Sequence, residues 1–254
     1  MTHVRLENIA KSFGDKHVLK GVDLDIQRGE IIYIIGKSGS GKSVTLKNIT
    51  GLLRPDSGRV LIDGADVHSL GDAELNVLRK KMGVLFQMAA LFDSMSVYEN
   101  VAFAPRRFTT MREPEIRELV REKLEMVGLR GVEHLNPSSL SGGMQKRVAL
   151  ARAIAADPEI IFFDEPTTGL DPIMADVINN LIVDCVKRLG ATTVSITHDV
   201  ASARKIADDI AMIFKGEIIW QGPANTIDES GNAYVDQFIH GRAEGPIQMD
   251  VLKP

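Results

Sequence analysis

The sequence is poor in cysteine, since Cys185 is the only one among 254 residues. A single thiol excludes an intramolecular disulfide and is typical of a protein kept in a reducing compartment. Without a cysteine partner, a redox or metal role is also disfavoured. Cys185 shares a helical face with Met174, Ile178, Leu181 and Leu189, so we expect a core thiol.

The sequence also lacks long apolar runs and a large excess of charge of one sign. No run approaches the roughly 20 residues needed to span a bilayer, and the N-terminus lacks the apolar region of a signal peptide. The net charge of −4 gives no reason to expect nucleic acid as a partner. With 44% hydrophobic and 25% charged residues, the composition is that of an ordinary globular protein. We therefore expect a cytoplasmic protein whose membrane role, if any, comes through partners.

A glycine-rich segment lies between an apolar run and a segment with helical spacing. Residues 31–35 are all apolar, which is typical of a buried strand, and helical spacing begins at Val44. Between them the spacing G-x-x-x-x-G-K-S predicts a phosphate-binding loop, here called the P-loop, formed by Gly36, Lys37, Ser38, Gly39, Ser40, Gly41, Lys42 and Ser43.

The chemistry of the P-loop follows from its residue types. Its glycines allow several backbone N–H groups to point at one anion, which also meets the positive end of the following helix. We expect Lys42 to reach the β- and γ-phosphates and the Ser43 hydroxyl to coordinate Mg²⁺. The pattern alone also fits a Gly/Ser-rich turn, but the flanking strand and helix favour a nucleoside triphosphate site.

Two adjacent carboxylates, Asp164 and Glu165, follow the apolar run 160–163. Carboxylates at the end of a buried strand are costly unless a cation or hydrogen-bond donors meet them. With a P-loop upstream, we expect Asp164 to hold Mg²⁺ and Glu165 to orient or deprotonate water at the γ-phosphate. The alternative is a helix N-cap, although Pro166 and the turn at 169–172 delay the next helix.

Gln87 and His198 follow two other predicted strands, residues 84–86 and 192–196. Ligands of open α/β sheets lie at the carboxyl ends of strands. Gln87 is therefore able to touch a metal or water, and His198 a γ-phosphate if its strand neighbours residues 160–163. Taken alone, each residue also fits an ordinary loop.

The remaining patterns predict the organisation of an α/β protein. Period-two alternation predicts strands on both sides of a turn at Gly14 and Asp15, and residues 210–220 predict a closing hairpin. Helical spacing predominates from about 88 to 157. Phe13, before the first turn, is either a core residue or a ring that stacks on a purine.

In their order, these motifs resemble those of the nucleotide-binding subunits of ATP-binding-cassette (ABC) transporters, over residues 3–240. The resemblance implies an α/β P-loop NTPase with a RecA-like core, an antiparallel β-subdomain and a helical subdomain at about 88–157, all within a domain spanning 1–240. The motifs are Phe13, the P-loop, Gln87, the signature Leu140-Ser141-Gly142-Gly143-Met144, Asp164 with Glu165, the D-loop with Asp171, and His198.

The resemblance also implies roles for single residues. Phe13 stacks on the adenine of ATP with Val18 alongside, and Val44 belongs to the same ATP-binding set. Gln87 senses Mg²⁺ and water and links to a transmembrane subunit, while His198 holds the γ-phosphate. Met144 replaces the usual glutamine, which should not abolish a site built from the Ser141 hydroxyl and two glycine amides.

The resemblance implies an assembly as well. In this family the signature of one subunit closes over the ATP bound by the other subunit. One P-loop and one signature therefore imply pairing, most simply as a homodimer. No nucleic acid partner is implied.

A narrower resemblance is to the ATPases of Mla/Mce-type phospholipid transport systems, carried by residues 86–97, 140–148, 167–173, 234–239 and 241–248. It implies phospholipid transport between inner and outer membranes through a separate permease, with an MCE-domain lipid-binding protein and a STAS-domain protein. The subunit then lies at the cytoplasmic face of the inner membrane. The alternatives are transport of another solute and a soluble, non-transport ABC ATPase.

Two segments are expected to contact partners. Residues 88–97 are either a surface on which a permease helix docks or a buried start of the helical segment. The tail, 241–254, is either a frayed terminus or a segment that contacts a partner. In an extended conformation Ile247, Met249 and Val251 would present one face, and the resemblance suggests that this tail crosses to the partner ATPase.

Overall fold

The computed structural model describes residues 1–248 of the chain. Over that range the strands are β1 (Thr2–Phe13), β2 (Lys16–Gln27), β3 (Ile31–Ile35), β4 (Ser57–Ile62), β5 (Ala65–Asp66), β6 (Met82–Leu85), β7 (Ile160–Asp164), β8 (Thr192–Thr197), β9 (Asp209–Phe214) and β10 (Glu217–Pro223). The α-helices are α1 (Lys42–Ile49), α2 (Asp72–Lys80), α3 (Val97–Phe108), α4 (Glu113–Met126), α5 (Gly142–Ala153), α6 (Pro172–Leu189), α7 (Val200–Ile206) and α8 (Ala233–Ile239).

The larger sheet has six strands in the order β10-β9-β3-β8-β7-β6. Its strands from β9 to β6 are parallel, and β10 pairs antiparallel with β9 at one edge. The predicted adjacency of β7 and β8 is therefore confirmed. The carboxyl ends of β3, β7 and β8 meet at one edge of the sheet, where the predicted site residues follow them.

The larger sheet separates two cores because successive side chains of a strand point to opposite faces. In β3, Tyr33 and its neighbours Ile31 and Ile35 pack with the helices of the middle third. Ile32 and Ile34 face the second core, against the antiparallel sheet. The fully apolar sequence of β3 follows from this burial on both faces.

The smaller sheet is antiparallel, with the order β2-β1-β4-β5. The predicted turn at Gly14 and Asp15 joins β1 to β2. The predicted fold class is confirmed by this combination of a mainly parallel sheet, an antiparallel sheet and helices.

Helices α3, α4 and α5 lie between β6 and β7, in the segment where helical spacing predominates. Helix α2 has no sequence prediction, although Leu75 and Leu78, three residues apart, pack partly buried against the core beneath the antiparallel sheet. The predicted strand at 84–86 is observed as β6, which starts two residues earlier and ends one residue earlier, so Phe86 follows it in an exposed position.

The buried face of α6 differs from the prediction. Ile178 and Cys185 are buried as expected, but Met174 and Leu181 are only partly buried. Ile182 and Val186 take their place, so the core-facing stripe is rotated towards these positions.

The C-terminal part of the described chain folds back on α8. Gln237 is buried in α8, and its side-chain Oε1 accepts a hydrogen bond from Ile247 N at 2.6 Å. Its Nε2 donates to Ile247 O at 3.0 Å and to Arg242 O at 3.1 Å. Ile247 is thereby buried against its own chain, while the predicted tail residues Met249 and Val251 lie outside the described residues.

Between residues 1 and 248, no helix is both long enough and apolar enough to cross a membrane.

Candidate nucleotide-binding site

The P-loop connects β3 to α1. Gly39 has φ 78° and Gly41 has φ 116°, backbone conformations that strongly favour glycine. A Cβ atom on Gly41 would also lie 2.7 Å from Leu19 Cδ2. The loop therefore needs glycine here to bring its backbone round to the start of α1. Ser43 is exposed and Val44 partly exposed in the first turn of that helix.

Lys42 turns back into the P-loop and is only 7% exposed. Its Nζ donates to Gly36 O at 2.7 Å and to Lys37 O at 3.3 Å, and lies 3.9 Å from Glu165 Oε1. Burial lowers the pKa of Lys42, and the charges of Glu165 and Asp164 oppose that effect. The loop thus holds a buried cation where a phosphate would supply the missing negative charge.

Asp164 ends β7 with a carboxylate oxygen that lacks a hydrogen-bond partner. Its Oδ1 is buried and unpaired among residues 1–248. Burial raises the pKa of Asp164, and the neighbouring charge of Glu165 raises it further. Such an orphaned carboxylate oxygen fits a divalent cation, which prefers oxygen ligands.

Glu165 has a left-handed backbone conformation, with φ 49°, and its N–H donates to Ile196 O of β8 at 3.0 Å. Left-handed conformation is uncommon for a non-glycine residue and costs roughly 1–3 kcal/mol. The hydrogen bond to β8 therefore keeps Glu165 in this strained conformation, and the conformation fixes the direction of its side chain.

The Glu165 carboxylate is the centre of the candidate site. His198 Nδ1 lies 2.7 Å from its Oε2, and Thr168 Oγ1 donates to the same oxygen at 3.1 Å. Thr197 Oγ1 donates to it at 3.4 Å. With Lys42 on its other oxygen, Glu165 brings together three sequence motifs that are far apart along the chain.

Thr168 and Thr197 are site residues that sequence reasoning missed. Their positions next to predicted site segments are the available signal: Thr197 precedes His198, and Thr168 lies just after the turn at Pro166. Asp171, predicted in the D-loop, accepts hydrogen bonds from Ile173 N and Met174 N at 3.0 Å and is the N-cap of α6.

Phe13 and Val18 lie on the hairpin formed by β1 and β2. Phe13 is 51% exposed, so the alternative that it is a core residue is wrong. Lys11 Nζ lies 5.7 Å from the ring centroid, and Val18 is partly buried on β2. An exposed aromatic face at this hairpin is available for stacking.

Gln87 follows β6 by one residue and is exposed. Its backbone carbonyl accepts a hydrogen bond from Lys146 Nζ of α5. No hydrogen bond among the described residues links its side chain to Asp164 or Glu165.

The signature lies at the start of α5. Ser141 is the N-cap and accepts from Met144 N at 3.3 Å. Gly142 is exposed, Gly143 is partly exposed, and Leu140 is buried. The hydrogen bonds of this segment are local, and the hydrogen bonds and ion pairs of residues 1–248 do not connect it with the P-loop of the same chain.

The site combines a P-loop, whose Lys42 is buried, with Glu165 and His198 at the ends of neighbouring parallel strands. These features define the class of P-loop nucleoside triphosphatases. The family description "ABC transporter" matches residues 19–168, more than half of the chain. The chain belongs to the ABC transporter family and is one of its ATP-binding and ATP-hydrolysing subunits.

Two curated relatives narrow the comparison. The chain is 43% identical to the "Intermembrane phospholipid transport system ATP-binding protein MlaF" of Haemophilus influenzae, over 96% of this chain and 93% of that protein. It is 44% identical to the "Probable ribonucleotide transport ATP-binding protein mkl" of Mycobacterium leprae, over 98% of this chain and 72% of that protein. The predicted resemblance to ABC ATPases, and within them to Mla-type ATPases, is confirmed.

The fold is similar to that of a solved ATP-binding cassette. That structure is a dimer in a post-hydrolysis state bound to ADP and Pi. The TM-score is 0.80 at 36% identity, and the match covers 87% of this chain and 98% of that one.

Proposed function

We propose that this chain hydrolyses ATP with Glu165 as the group that orients or deprotonates the attacking water. The contact between Glu165 Oε2 and His198 Nδ1, at 2.7 Å, is the observation that carries the proposal. It holds a carboxylate beside Lys42, which binds the β- and γ-phosphates, while His198 contacts the γ-phosphate. Phe13 stacks on the adenine, with Val18 and Val44 at the edge of the nucleotide.

Mg²⁺ fits the same edge of the sheet. The unpaired Oδ1 of Asp164 and the exposed hydroxyl of Ser43 are oxygen ligands, and Gln87 supplies a third from the neighbouring strand. When bound, the ion neutralises negative charge on the phosphates. The protein's own contribution is to hold Lys42 and Glu165 in place around the phosphate.

The signature is proposed to serve a second copy of this chain. Ser141 and the glycine amides lie at the N-terminus of α5, an anion-binding position, yet within residues 1–248 they make no hydrogen bond with the P-loop of their own chain. A homodimer brings each signature onto the partner's ATP and gives two competent sites. The dimeric state of the similar solved cassette supports this arrangement.

The cargo is proposed to be phospholipid, moved between inner and outer membranes through a separate permease. The identity to MlaF extends over nearly the full length of both chains, whereas the relative named for ribonucleotide transport is longer than the matched region. We further propose an MCE-domain lipid-binding protein and a STAS-domain protein as partners, and a location at the cytoplasmic face of the inner membrane.

The permease contact is proposed at residues 88–97. Met88 is 85% exposed, and the rings of Phe92 and Phe103 lie exposed with centroids 5.0 Å apart. Adjacent exposed apolar side chains favour a partner surface. A charged substitution at Phe92 should therefore reduce co-purification of the permease, and unchanged recovery places the contact elsewhere.

The substitution Glu165→Gln tests the proposed chemistry. It keeps the shape of the side chain and an oxygen for Thr168, but removes the base, so hydrolysis should fall by about 10²–10⁴-fold while ATP binding persists. Glu159→Gln is the matched control, since Glu159 lies just before the opposite end of β7 and pairs at the surface with Lys81. Its turnover should stay within about twofold of the wild type, as expected for a surface ion pair.

The cargo is tested on the complex purified with its membrane partners. Phospholipid vesicles should stimulate ATP hydrolysis by the complex, and ribonucleotides other than ATP should not. Stimulation by the ribonucleotides alone would assign the chain to the second candidate, transport of another solute.

A further inference from the structure

Helix α5, which begins at the signature, carries two cationic side chains that point back towards the Gln87 segment. Lys146 is only 6% exposed, and Arg152 is partly buried. Burial lowers the pKa of each, so both depend on nearby acceptors to keep their charge inside the protein. None of the roles described above uses either residue.

The acceptors of both cations are backbone carbonyls of residues 87–90, together with that of Glu165. Lys146 Nζ donates to Gln87 O and lies 3.5 Å from Glu165 O. Arg152 donates through Nη1 to Ala90 O at 2.6 Å and through Nη2 to Ala89 O at 2.8 Å. One helix therefore holds three carbonyl groups of the segment that carries Gln87.

The held segment is strained. Ala89 has φ 60° and Ala90 has φ 48°, and consecutive left-handed residues other than glycine are uncommon. Ala89 is buried, so its backbone cannot relax by moving into solvent. Such a conformation persists only where surrounding contacts over-determine it, and the hydrogen bonds from Arg152 are the contacts at these carbonyls.

We propose that Lys146 and Arg152 are positioning residues that fasten the Gln87 segment to the helix beginning at the signature, so that Gln87 and Ser141 keep a fixed relative position. The proposal rests on the proposed functions of Gln87, Glu165 and the signature. Because of this attachment, a signature that moves onto the partner's ATP also moves the Gln87 of its own subunit. Lys146 Nζ also lies near the backbone carbonyl of Glu165, so the same helix contacts the main chain of the residue whose carboxylate acts on water.

Lys146→Met tests the proposal, because methionine keeps an apolar stem but cannot donate to Gln87 O. Loss of a hydrogen bond from a charged group should lower kcat by about tenfold. The KM for ATP and the ATP affinity should change by no more than about threefold, because the contacts of Lys42 are untouched. A side chain that only stabilises the fold would not separate kcat from KM in this way.

Arg147→Met is the matched control on the same helix. Arg147 donates to Gly128 O at 3.1 Å, next to the end of α4 and away from Gln87. Its kcat should stay within about twofold of the wild type. Equal loss of kcat in both variants would overturn the proposal, because loosening of α5 in general would then explain the effect.

A double-mutant cycle with Gln87→Ala separates positioning from other effects. If Lys146 acts through Gln87, Lys146→Met should cost little once Gln87 is alanine, at most about threefold in kcat. An equal loss of kcat in both backgrounds, or unchanged kcat in Lys146→Met alone, overturns the proposal. Arg152→Lys keeps the charge but loses the pair of hydrogen bonds to Ala89 O and Ala90 O. If Lys146→Met does not fold, this variant should show the same fall in kcat with little change in KM.

Glu165→Gln, measured in the same assay, separates this proposal from the proposed function. If that variant keeps its turnover, the catalytic assignment fails whatever Lys146 does. If it is inactive while both Lys146→Met and Arg152→Lys hydrolyse ATP normally, only the fastening of the Gln87 segment is wrong.

Discussion

The segment after α8 is held by one side chain, so Gln237→Ala should release it without unfolding the domain. The Gln237 amide accepts from one backbone group and donates to two, much as a neighbouring strand does. Alanine leaves the N–H and carbonyl of Ile247 and the carbonyl of Arg242 without these partners. The rest of the core does not depend on them.

The size of the effect follows from the three hydrogen bonds. At about 1 kcal/mol each, their loss costs about 3 kcal/mol. Since about 1.4 kcal/mol is a factor of ten in an equilibrium constant, the opening of this segment should become roughly 100-fold more frequent in the variant.

Hydrogen exchange at the Ile247 amide measures this opening directly, with Gln237→Glu as the matched variant. Glutamate keeps an acceptor for Ile247 N but loses both donors, so its protection factor should lie between those of the wild type and the alanine variant. Tryptic cleavage after Arg242 should follow the same order. Wild-type protection at Ile247 in Gln237→Ala would show that contacts other than these three hold the segment.

The same variant tests whether this segment affects nucleotide binding. Residues 246–248 line a cavity of about 410 Å³ together with Lys37–Ser40 of the P-loop. Lys42 makes no hydrogen bond with them, so ATP affinity should change by less than about threefold. A larger loss would make this C-terminal segment part of the nucleotide site.

Three further predictions concern single residues. Lys42→Ala removes the buried cation of the P-loop, so calorimetry should show ATP affinity at least about tenfold weaker, and unchanged affinity would contradict the assignment. Burial raises the pKa of Cys185 to about 11, so a thiol reagent at about pH 8 should react only after denaturation, and rapid labelling of folded protein would place this thiol at the surface. Arg106 and then Tyr98 hold the pKa of Glu113 down to about 2, so its stabilising effect is complete above its ordinary pKa and is lost as the pH falls towards 2. The difference in Tm between wild type and Glu113→Gln should therefore shrink from pH 5 to pH 2, and a constant difference would exclude this ionisation as its cause.

The parts of the fold that sequence predicts are those with an unambiguous local pattern. Strand β3 and residues 160–163 of β7 are fully apolar because both faces are buried, and because the strands are parallel, the motifs at their ends fall at one edge of the sheet. Helix α2 escapes prediction because its apolar stripe is short, with Leu75 and Leu78 only partly buried and no side chain fully buried. Local pattern also misplaces the buried face of α6 by one position, since neighbouring apolar residues fit several stripes.

The site was predictable as far as its motifs extend. Glu165 and His198 are named by residue type and position, but the two threonines that donate to the glutamate are marked only by lying next to predicted site segments, which does not predict their hydrogen bonds. The hydrogen bonds of Lys146 and Arg152 are not predictable either, because their acceptors are backbone carbonyls about 60 residues away in the sequence. Backbone acceptors have no residue type, so such contacts become visible only when the chain is folded.

The division of β3 between two cores bears on how the chain folds during its synthesis. The core beneath the antiparallel sheet contains Ile9 and Val60 from the first quarter of the chain. It also contains Phe162, Ile196 and Ile213 from strands made much later. At a ribosomal rate of about 5–20 residues per second, the N-terminal sheet waits on the order of 10–30 s before its apolar face is covered. We therefore expect the apolar face of the N-terminal sheet to stay exposed on the nascent chain until β9 has been synthesised.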